Sequence, residues 1–189
     1  GFDTEPTPAS YQNPEYVNRF LEGRAYCKEV DYVVYQVPVA IPEVYERIFD
    51  RISARKEFQL VEFSSKRDLK PYVVPALRLM NETYGDLYGY EPLDEEDMQA
   101  LAKRYFPILD PRFIKIVEKG GEVVAFVLGI PNMNEGLRRA RGRLFPSGLL
   151  WILHARRHSK QVDLLLGAIK EEYRGRGLDV LMGTAMLRT

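Results

Sequence analysis

Two arginines alternate with two glycines near the end of the chain, and four residues separate them from an apolar run. Arg174, Gly175, Arg176 and Gly177 follow residues 164–169, which read Leu-Leu-Leu-Gly-Ala-Ile. A strand, a glycine-rich turn and a helix start, in that order, leave the first N–H groups of the helix without acceptors, and the helix dipole adds positive charge there. Glycines let a ligand approach the main chain, and arginines pair with anionic oxygens. The segment therefore predicts a site for a phosphate or pyrophosphate group.

Two common nucleotide-binding loops do not fit these residues. A Walker loop needs Gly-Lys followed by Ser or Thr, and the dinucleotide fingerprint needs three glycines at fixed spacing. Residues 174–179 contain neither pattern. The alternative to an anion site is an ordinary glycine-rich turn between a strand and a helix, with two solvated arginines.

Strand-like and helix-like patterns alternate upstream of this loop, which predicts an α/β fold with a mixed sheet flanked by helices. Residues 58–63 alternate like a strand, and apolar residues at three-to-four spacing predict a helix over residues 68–88 with a kink at Pro75. A second helix is predicted over residues 94–106, because the acidic residues at its start suit the positive end of a helix. Runs at 112–118 and 122–130, joined by Lys-Gly-Gly, predict a β-hairpin.

A helical insertion predicted over residues 134–158 separates the hairpin from a strand predicted over residues 162–169. The order is then strand, two helices, hairpin, strand, glycine loop and helix. Together with Arg-Gly-Arg-Gly-Leu-Asp at residues 174–179, this order resembles motif A of the Gcn5-related N-acetyltransferase superfamily, the acyl-coenzyme A N-acyltransferases. Asp179 departs from the pattern, because the family usually has Gly or Ala there.

The resemblance implies the acyl-coenzyme A N-acyltransferase fold, cut off after the motif A helix, and acetyl-coenzyme A or coenzyme A as the cofactor. In the family, the loop amides hold the pyrophosphate and the preceding strand offers main-chain hydrogen bonds to the pantetheine arm. The implied activity is acyl transfer, most simply of an acetyl group, to the amine of a small molecule or a peptide. The cofactor-binding residues expected from it are Leu166, Gly167, Ala168, Ile169, Arg174, Gly175, Arg176, Gly177, Leu178 and Asp179.

The first 40 residues resemble the closing segment of a preceding acetyltransferase-like unit. Pro14 after Asn13 predicts the start of a short helix, and residues 30–39 have the composition of a strand. Residues 41–57 are expected to form a linking helix, and residues 58–189 the first two-thirds of a second unit. Because a truncated sheet has an unpaired edge, we expect a homodimer through that edge.

The wider resemblance is to bacterial uncharacterised proteins built from two tandem acetyltransferase-like halves. It is carried by Gly1-Phe2-Asp3 with Asn13, Pro14 and Tyr16, and by Gly-Ile-Pro-Asn-Met-Asn-Glu at residues 129–135. A half of such a protein is either an enzyme or a non-catalytic binding or scaffolding domain, and both alternatives stay open.

No catalytic acid or base stands out in the sequence. Asp163 is the only carboxylate in the predicted motif A strand but lies far from its loop end, so a structural role is favoured. Glu118, Asn132, Asn134 and Glu135 lie near the ends of the hairpin strands, where substrate contacts occur, although turns favour the same residue types. Catalytic residues therefore stay unassigned. Tyr16 becomes a candidate acid only where the N-terminal segment packs against the other half or another chain.

A basic stretch lies within the insertion, without any acid between Gly136 and Lys160. It contains Arg138, Arg139, Arg141, Arg143, Arg156, Arg157 and Lys160. One interpretation is guidance of coenzyme A phosphates or an acidic substrate. The favoured one is a solvated face balanced by the acidic run at 91–97. His154 and His158 have helical spacing but no third ligand nearby, so no metal is expected.

The overall composition excludes several classes of protein. The 189 residues carry 27 Lys and Arg against 27 Asp and Glu, so we expect no nucleic-acid partner. The run at 149–153 falls far short of the roughly 20 apolar residues of a membrane span, so we expect no membrane partner. Cys27 is the only cysteine and excludes an internal disulfide, which favours a cytoplasmic protein. The aromatic residues Tyr84, Tyr88, Tyr90 and Trp151 are expected in a core or a pocket wall.

Overall fold

The computed structural model describes residues 5–7, 10 and 13–189, so the Gly1–Asp3 motif lies outside the described residues. The helices are α1 (Glu15–Glu22), α2 (Glu43–Ala54), α3 (Lys66–Leu69), α4 (Val73–Tyr84), α5 (Glu95–Tyr105), α6 (Asn134–Ala140), α7 (Gly148–His158) and α8 (Leu178–Leu187). The strands are β1 (Gln59–Glu62), β2 (Ile114–Lys119), β3 (Glu122–Pro131) and β4 (Val162–Ile169). The chain forms a larger unit, residues 39–130 and 164–189, and a smaller unit, residues 1–38 and 131–163.

The four strands form one sheet in the order β1-β2-β3-β4. β1 pairs antiparallel with β2, and β2 pairs antiparallel with β3, with a bulge between Val117 and Glu118. Lys170 N donates to Val124 O at 2.9 Å, beside the start of β3, which sets the end of β4 against it in antiparallel fashion. The predicted α/β class is confirmed. A mixed sheet was expected, but all neighbouring strands run in opposite directions, so the sheet is antiparallel.

Two hydrophobic clusters hold the larger unit together. One joins strand residues such as Ile116 and Phe126 to α4 and α5 through Leu77, Met80 and Met98. The other packs α2 and α8 on strand residues that include Val117 and Ala125, through Ile52, Leu178 and Leu181. Because Ile116 faces Phe126 and Val117 faces Ala125 in the register, alternate residues of β2 and β3 supply the two clusters.

The helix predicted over residues 68–88 is divided in the structure. α3 begins at the cap of Ser65, whose hydroxyl accepts from Asp68 N, and a 3-10 turn over Lys70–Tyr72 leads into α4. Pro75 lies in the first turn of α4, where its missing N–H costs no hydrogen bond, and the helical run is interrupted just before it. The second predicted helix is confirmed as α5, which begins with Asp94 accepting from Asp97 N.

The insertion predicted as helical forms two helices rather than one. Arg141 at φ +49° and Gly142 at φ +76° end α6, and α7 follows after a turn. Gly136 allows the two helices to touch, since a Cβ there would lie 2.7 Å from Trp151 O and 2.9 Å from Ala155 Cβ. The hairpin of α6 and α7 is therefore fixed by a close backbone contact.

The N-terminal helix is confirmed and the strand after it is not. α1 spans Glu15–Glu22, directly after Pro14. Residues 30–39 are exposed and outside the sheet, although their Val and Tyr content favours a strand. Strand conformation needs a paired neighbour, and in the described part of the chain this segment pairs with none.

Candidate functional site

The strand, loop and helix predicted as an anion site form one continuous element. β4 ends at Ile169, a 3-10 turn spans Glu171–Tyr173, and α8 begins at Leu178. Gly175 and Gly177 have φ angles of +72° and +84°, a region that favours glycine. The two glycines are therefore needed for the turn itself.

The beginning of α8 offers hydrogen-bond donors. Gly177 is its N-cap, and among the described residues no side chain accepts a bond from its first turn. The first bond along the helix runs from Leu181 N to Gly177 O at 2.9 Å, so the N–H groups of Leu178, Asp179 and Val180 lack helical acceptors. Asp179 is exposed in this first turn and shares the positive end of the dipole.

The two glycines of the loop differ in what surrounds them. A Cβ at Gly177 would lie 2.7 Å from Ile52 Cδ1 and 3.3 Å from Ile48 Cγ2, so α2 fills the space on that side. A Cβ at Gly175 would meet nothing within 4 Å. The loop therefore packs against α2 at Gly177, and the space around Gly175 is empty.

The exposed edge of β4 carries an unusual hydrogen-bond pair. Because Lys170 N bonds to β3, strand alternation turns the main chain of Ile169 and Gly167 toward the outer edge. The hydroxyl of Tyr84, at the end of α4, donates to Gly167 O at 2.9 Å and accepts from Gly167 N at 3.1 Å. One side chain thus takes both main-chain groups of Gly167.

Neighbouring side chains hold the ring of Tyr84 in place. Tyr90 stacks on it edge-to-face, with 5.4 Å between ring centroids. The Tyr90 hydroxyl donates to Asn81 Oδ1, and the same amide donates to Leu93 O at 2.6 Å. Burial, with Tyr84 as a smaller cause, raises the pKa of Tyr90 above its usual value. The Tyr84 hydroxyl is therefore positioned by a network of α4 and the loop before α5.

Both loop arginines have partners within the larger unit. Arg174 Nε donates to Ile169 O at 3.3 Å, on the outer edge of β4. Arg176 Nη1 lies 3.3 Å from Glu57 Oε1, and its guanidinium lies 5.5 Å from the Tyr173 ring centroid. Both side chains are exposed on the loop that leads into α8.

Glu57 pairs with a second cation, Lys119, in addition to Arg176. Lys119 Nζ donates to Glu57 Oε1 at 3.0 Å and lies 4.7 Å from the Tyr173 ring centroid. The hydrogen bond from Lys119 lowers the pKa of Glu57, and the same bond raises the pKa of Lys119. Because the pKa of Glu57 is lower in the folded protein than in the unfolded chain, its ionised carboxylate stabilises the fold at pH values above the unfolded pKa. This stability is lost as the pH falls through the folded-state pKa. The ion pair therefore persists at neutral pH.

The ten predicted cofactor-binding residues differ in burial and in whether their main-chain N–H and C=O groups face the outer edge of β4 or face β3. Gly167 and Ile169 face the outer edge, whereas Leu166 and Ala168 alternate toward β3. Leu178 is fully buried in the cluster with α2, its main chain included. The assignment of these residues to a cofactor stays a prediction.

Asp163 and the asparagines near the hairpin have structural partners in the smaller unit. The Asp163 carboxylate accepts from Asn132 Nδ2 and from Gln161 Nε2, each at 2.9 Å. Asn132 Oδ1 accepts from Asn134 N at 3.0 Å, which begins α6. Asn134 Nδ2 donates to Pro6 O at 2.8 Å. These contacts agree with the structural role favoured for Asp163.

The remaining candidates are distributed over both units. Glu135 pairs with Arg139 on α6, and Tyr16 is exposed and contacts Phe20 at 5.8 Å between ring centroids. Glu118 hydrogen-bonds Tyr72, whose pKa is raised chiefly by burial. His154 and His158 stack at 4.2 Å, and the described residues contain no group of three potential metal ligands.

Sequence comparison links the chain to two proteins of known name, while no protein-family model matches it. It is 28% identical, over 96% of its length, to the protein named "Bacterial ceramide synthase" from Caulobacter vibrioides. It is 23% identical, over 81% of its length, to "Protein YghO" from Escherichia coli. The chain is thus similar to a protein named for the synthesis of ceramide. It covers 49% of the first relative and 40% of the second, so it spans half of their length or less.

Among the described residues, no helix combines the length and the apolar composition of a membrane span.

Proposed function

We propose that the chain is the coenzyme A-binding part of an acyl-coenzyme A-dependent N-acyltransferase of the Gcn5-related superfamily. The observation that carries the proposal is the continuity of the open β4 edge, the left-handed glycine loop and the uncapped start of α8. These three features are the parts that a pantetheine arm and a pyrophosphate require. The similarity to a ceramide synthase supports acyl transfer independently.

The residues present fit this cofactor on chemical grounds. The N–H groups of Asp179 and Val180 are donors for a pyrophosphate, with Arg174 and Arg176 as cations beside them. Gly167 turns one donor and one acceptor outward, which matches an amide group of the pantetheine arm. The Tyr84 hydroxyl fills both positions in this structure, so the pantetheine arm would have to displace it. When bound, the cofactor supplies the activated acyl thioester.

The acceptor is proposed from the relative's name. A ceramide is an amide of a fatty acid with a long-chain amino alcohol, so we propose such an amine as the acceptor and a fatty acyl group as an alternative to acetyl. The acceptor amine must be neutral to attack, which calls for a base within hydrogen-bond reach. We assign no base among the described carboxylates at the β4 edge and the loop.

A binding measurement tests the cofactor proposal. Acetyl-coenzyme A and octanoyl-coenzyme A are titrated into the chain while its thermal unfolding is followed. A ligand at 100 times its Kd stabilises the folded state by about 2.7 kcal/mol, which is a clear rise in melting temperature. Equal additions of sodium pyrophosphate distinguish cofactor binding from anion binding alone. An unchanged melting temperature at millimolar acyl-coenzyme A would refute the proposal.

A transfer assay tests the reaction. Octanoyl- or palmitoyl-coenzyme A and a long-chain amino alcohol are incubated with the protein that contains this chain, and amide formation is followed by mass spectrometry. Expected products are the amide and free coenzyme A. Cofactor binding without any amide would instead assign the chain a non-catalytic role.

Tyr84→Phe is expected to raise the affinity for acyl-coenzyme A about fivefold. The substitution removes a hydroxyl that competes with the cofactor for Gly167 N and O, and a net hydrogen bond is worth about 1 kcal/mol. Isothermal titration measures the Kd. Tyr105→Phe is the matched control, because Tyr105 is exposed on α5 and lies outside the network that holds Tyr84, so its Kd should stay unchanged. A weaker Kd in Tyr84→Phe would show that the hydroxyl helps to bind the cofactor.

A further inference from the structure

The helical hairpin of the smaller unit presents large apolar side chains to water. Gly136 of α6 lies against Trp151 O and Ala155 Cβ, so the side of α7 around Ile152 and Ala155 faces α6. Leu150 and Leu153 lie away from that contact by helical spacing, and Leu149 lies at its border. All three are exposed, Leu150 with 67% of its surface.

The turn before α7 extends this apolar surface. Leu144 and Phe145 lie between the two helices, and Phe145 has 77% of its surface exposed. We name the set Leu144, Phe145, Leu149, Leu150 and Leu153 the apolar face. A cluster of leucines and a phenylalanine in water is costly, and such clusters mark surfaces that contact a partner.

Cations surround the apolar face. Residues 137–159 contain six arginines and two histidines and no acid, and Lys160 follows. Arg138 pairs with Glu5 at 2.9 Å and Arg139 with Glu135. Arg141, Arg143 and Arg157 are exposed at the two ends of the apolar face. The partner of this surface is therefore both apolar and negatively charged.

We propose that the apolar face docks the protein onto the surface of a bilayer that contains anionic phospholipid. Leucine and phenylalanine side chains enter the boundary between headgroups and acyl chains, and arginines pair with the lipid phosphates. The absence of a spanning segment predicted no membrane partner, but that criterion concerns helices that cross a bilayer and not surfaces that lie on one. Docking is independent of the proposed acyl transfer.

Two other occupants fit the surface less well. A second copy of the chain would bring two sets of like charges together, which opposes association. A nucleic acid would pair with the arginines but would leave Phe145 and Leu150 without an apolar partner. An anionic bilayer satisfies both the charge and the apolar side chains.

Trp151 makes the test direct, because it is the only tryptophan of the chain and lies on α7 beside the apolar face. The protein is mixed with vesicles of phosphatidylcholine alone and of phosphatidylcholine with phosphatidylglycerol. We expect co-sedimentation and a blue shift of tryptophan emission only with the anionic vesicles. Both should weaken in 1 M salt, where the Debye length is about 3 Å. Equal binding to neutral vesicles, or binding without an emission shift, would overturn the proposal.

Two pairs of variants separate the apolar and the charged contributions. Phe145→Ser with Leu150→Ser should weaken binding to anionic vesicles at least about tenfold, as should Arg141→Glu with Arg157→Glu. The controls are Leu164→Ser, at a leucine with 64% of its surface exposed on β4, and Arg67→Glu with Lys103→Glu. Controls that lose as much binding as the test variants would contradict the proposal.

Self-association is measured in parallel by analytical ultracentrifugation without lipid. A dimer that Leu150→Ser dissociates, together with no vesicle binding, would assign the face to a second copy and overturn membrane docking. All of the substituted side chains are exposed, so circular dichroism should report the wild-type fold in each variant.

Discussion

Gly177→Ala is expected to lower the free energy of unfolding by about 2 to 4 kcal/mol. A side chain at φ +84° costs about 1 to 2 kcal/mol, and overpacking a well-filled core costs about 1 to 3 kcal/mol. The new methyl group would lie 2.7 Å from Ile52 Cδ1, in a cluster where Ile52 is itself buried. Denaturant unfolding of the variant and the wild type measures the difference.

Two further variants separate backbone strain from overpacking. Gly175→Ala has a similar φ of +72° but open space around the new methyl group, so it should cost only about 1 kcal/mol. Ile52→Val removes Cδ1, the atom nearest to the new methyl group, so Gly177→Ala should cost less in that background. An equal cost in both backgrounds would show that contact with α2 plays no part.

The double variant Arg174→Ala and Arg176→Ala is expected to weaken acetyl-coenzyme A binding by at least about tenfold. Hydrogen bonds to charged groups contribute about 1.5 to 3 kcal/mol each, and part of this is offset because each arginine first leaves Ile169 O or Glu57. The loss should shrink in high salt, since screening weakens these contacts in the wild type. Isothermal titration at two salt concentrations measures both effects.

The control for this variant removes the same number of positive charges elsewhere in the larger unit. Arg67→Ala with Lys103→Ala lies on α3 and α5, both side chains being exposed. Its affinity for acetyl-coenzyme A should match the wild type within about twofold, allowing for long-range charge effects. If the loop variant binds as tightly as this control, the arginines do not contact the cofactor.

Local sequence patterns predicted the parts of the fold that depend on near neighbours. The strand at Val162–Ile169, the hairpin around Gly120 and Gly121 and the helix start after Gly177 follow from alternation and turn chemistry. The strand expected at residues 30–39 is wrong because pairing depends on a distant partner strand, which composition alone does not supply.

In the candidate site too, the local features were predicted and the long-range contacts were not. The glycine loop is readable from six consecutive residues, 174–179. The bonds between Tyr84 and Gly167 join positions 83 residues apart, and no local pattern marks either residue for the other. Tyr84 was expected only in a core or pocket wall. Similarly, Glu57 appears as an ordinary exposed carboxylate until the fold brings Lys119 and Arg176 beside it.

The packing of α2 under the glycine loop sets a limit on how the chain can be shortened. Ile48 and Ile52 lie against Gly177, Glu46 pairs with Arg188, and the Arg188 guanidinium lies 4.2 Å from the Phe49 ring centroid. A fragment that begins at Phe58 lacks α2, so it would expose Leu178 and Leu181 to water and lose the side chains that pack against Gly177. Expression fragments intended for crystallisation or ligand screening should therefore begin before Glu43.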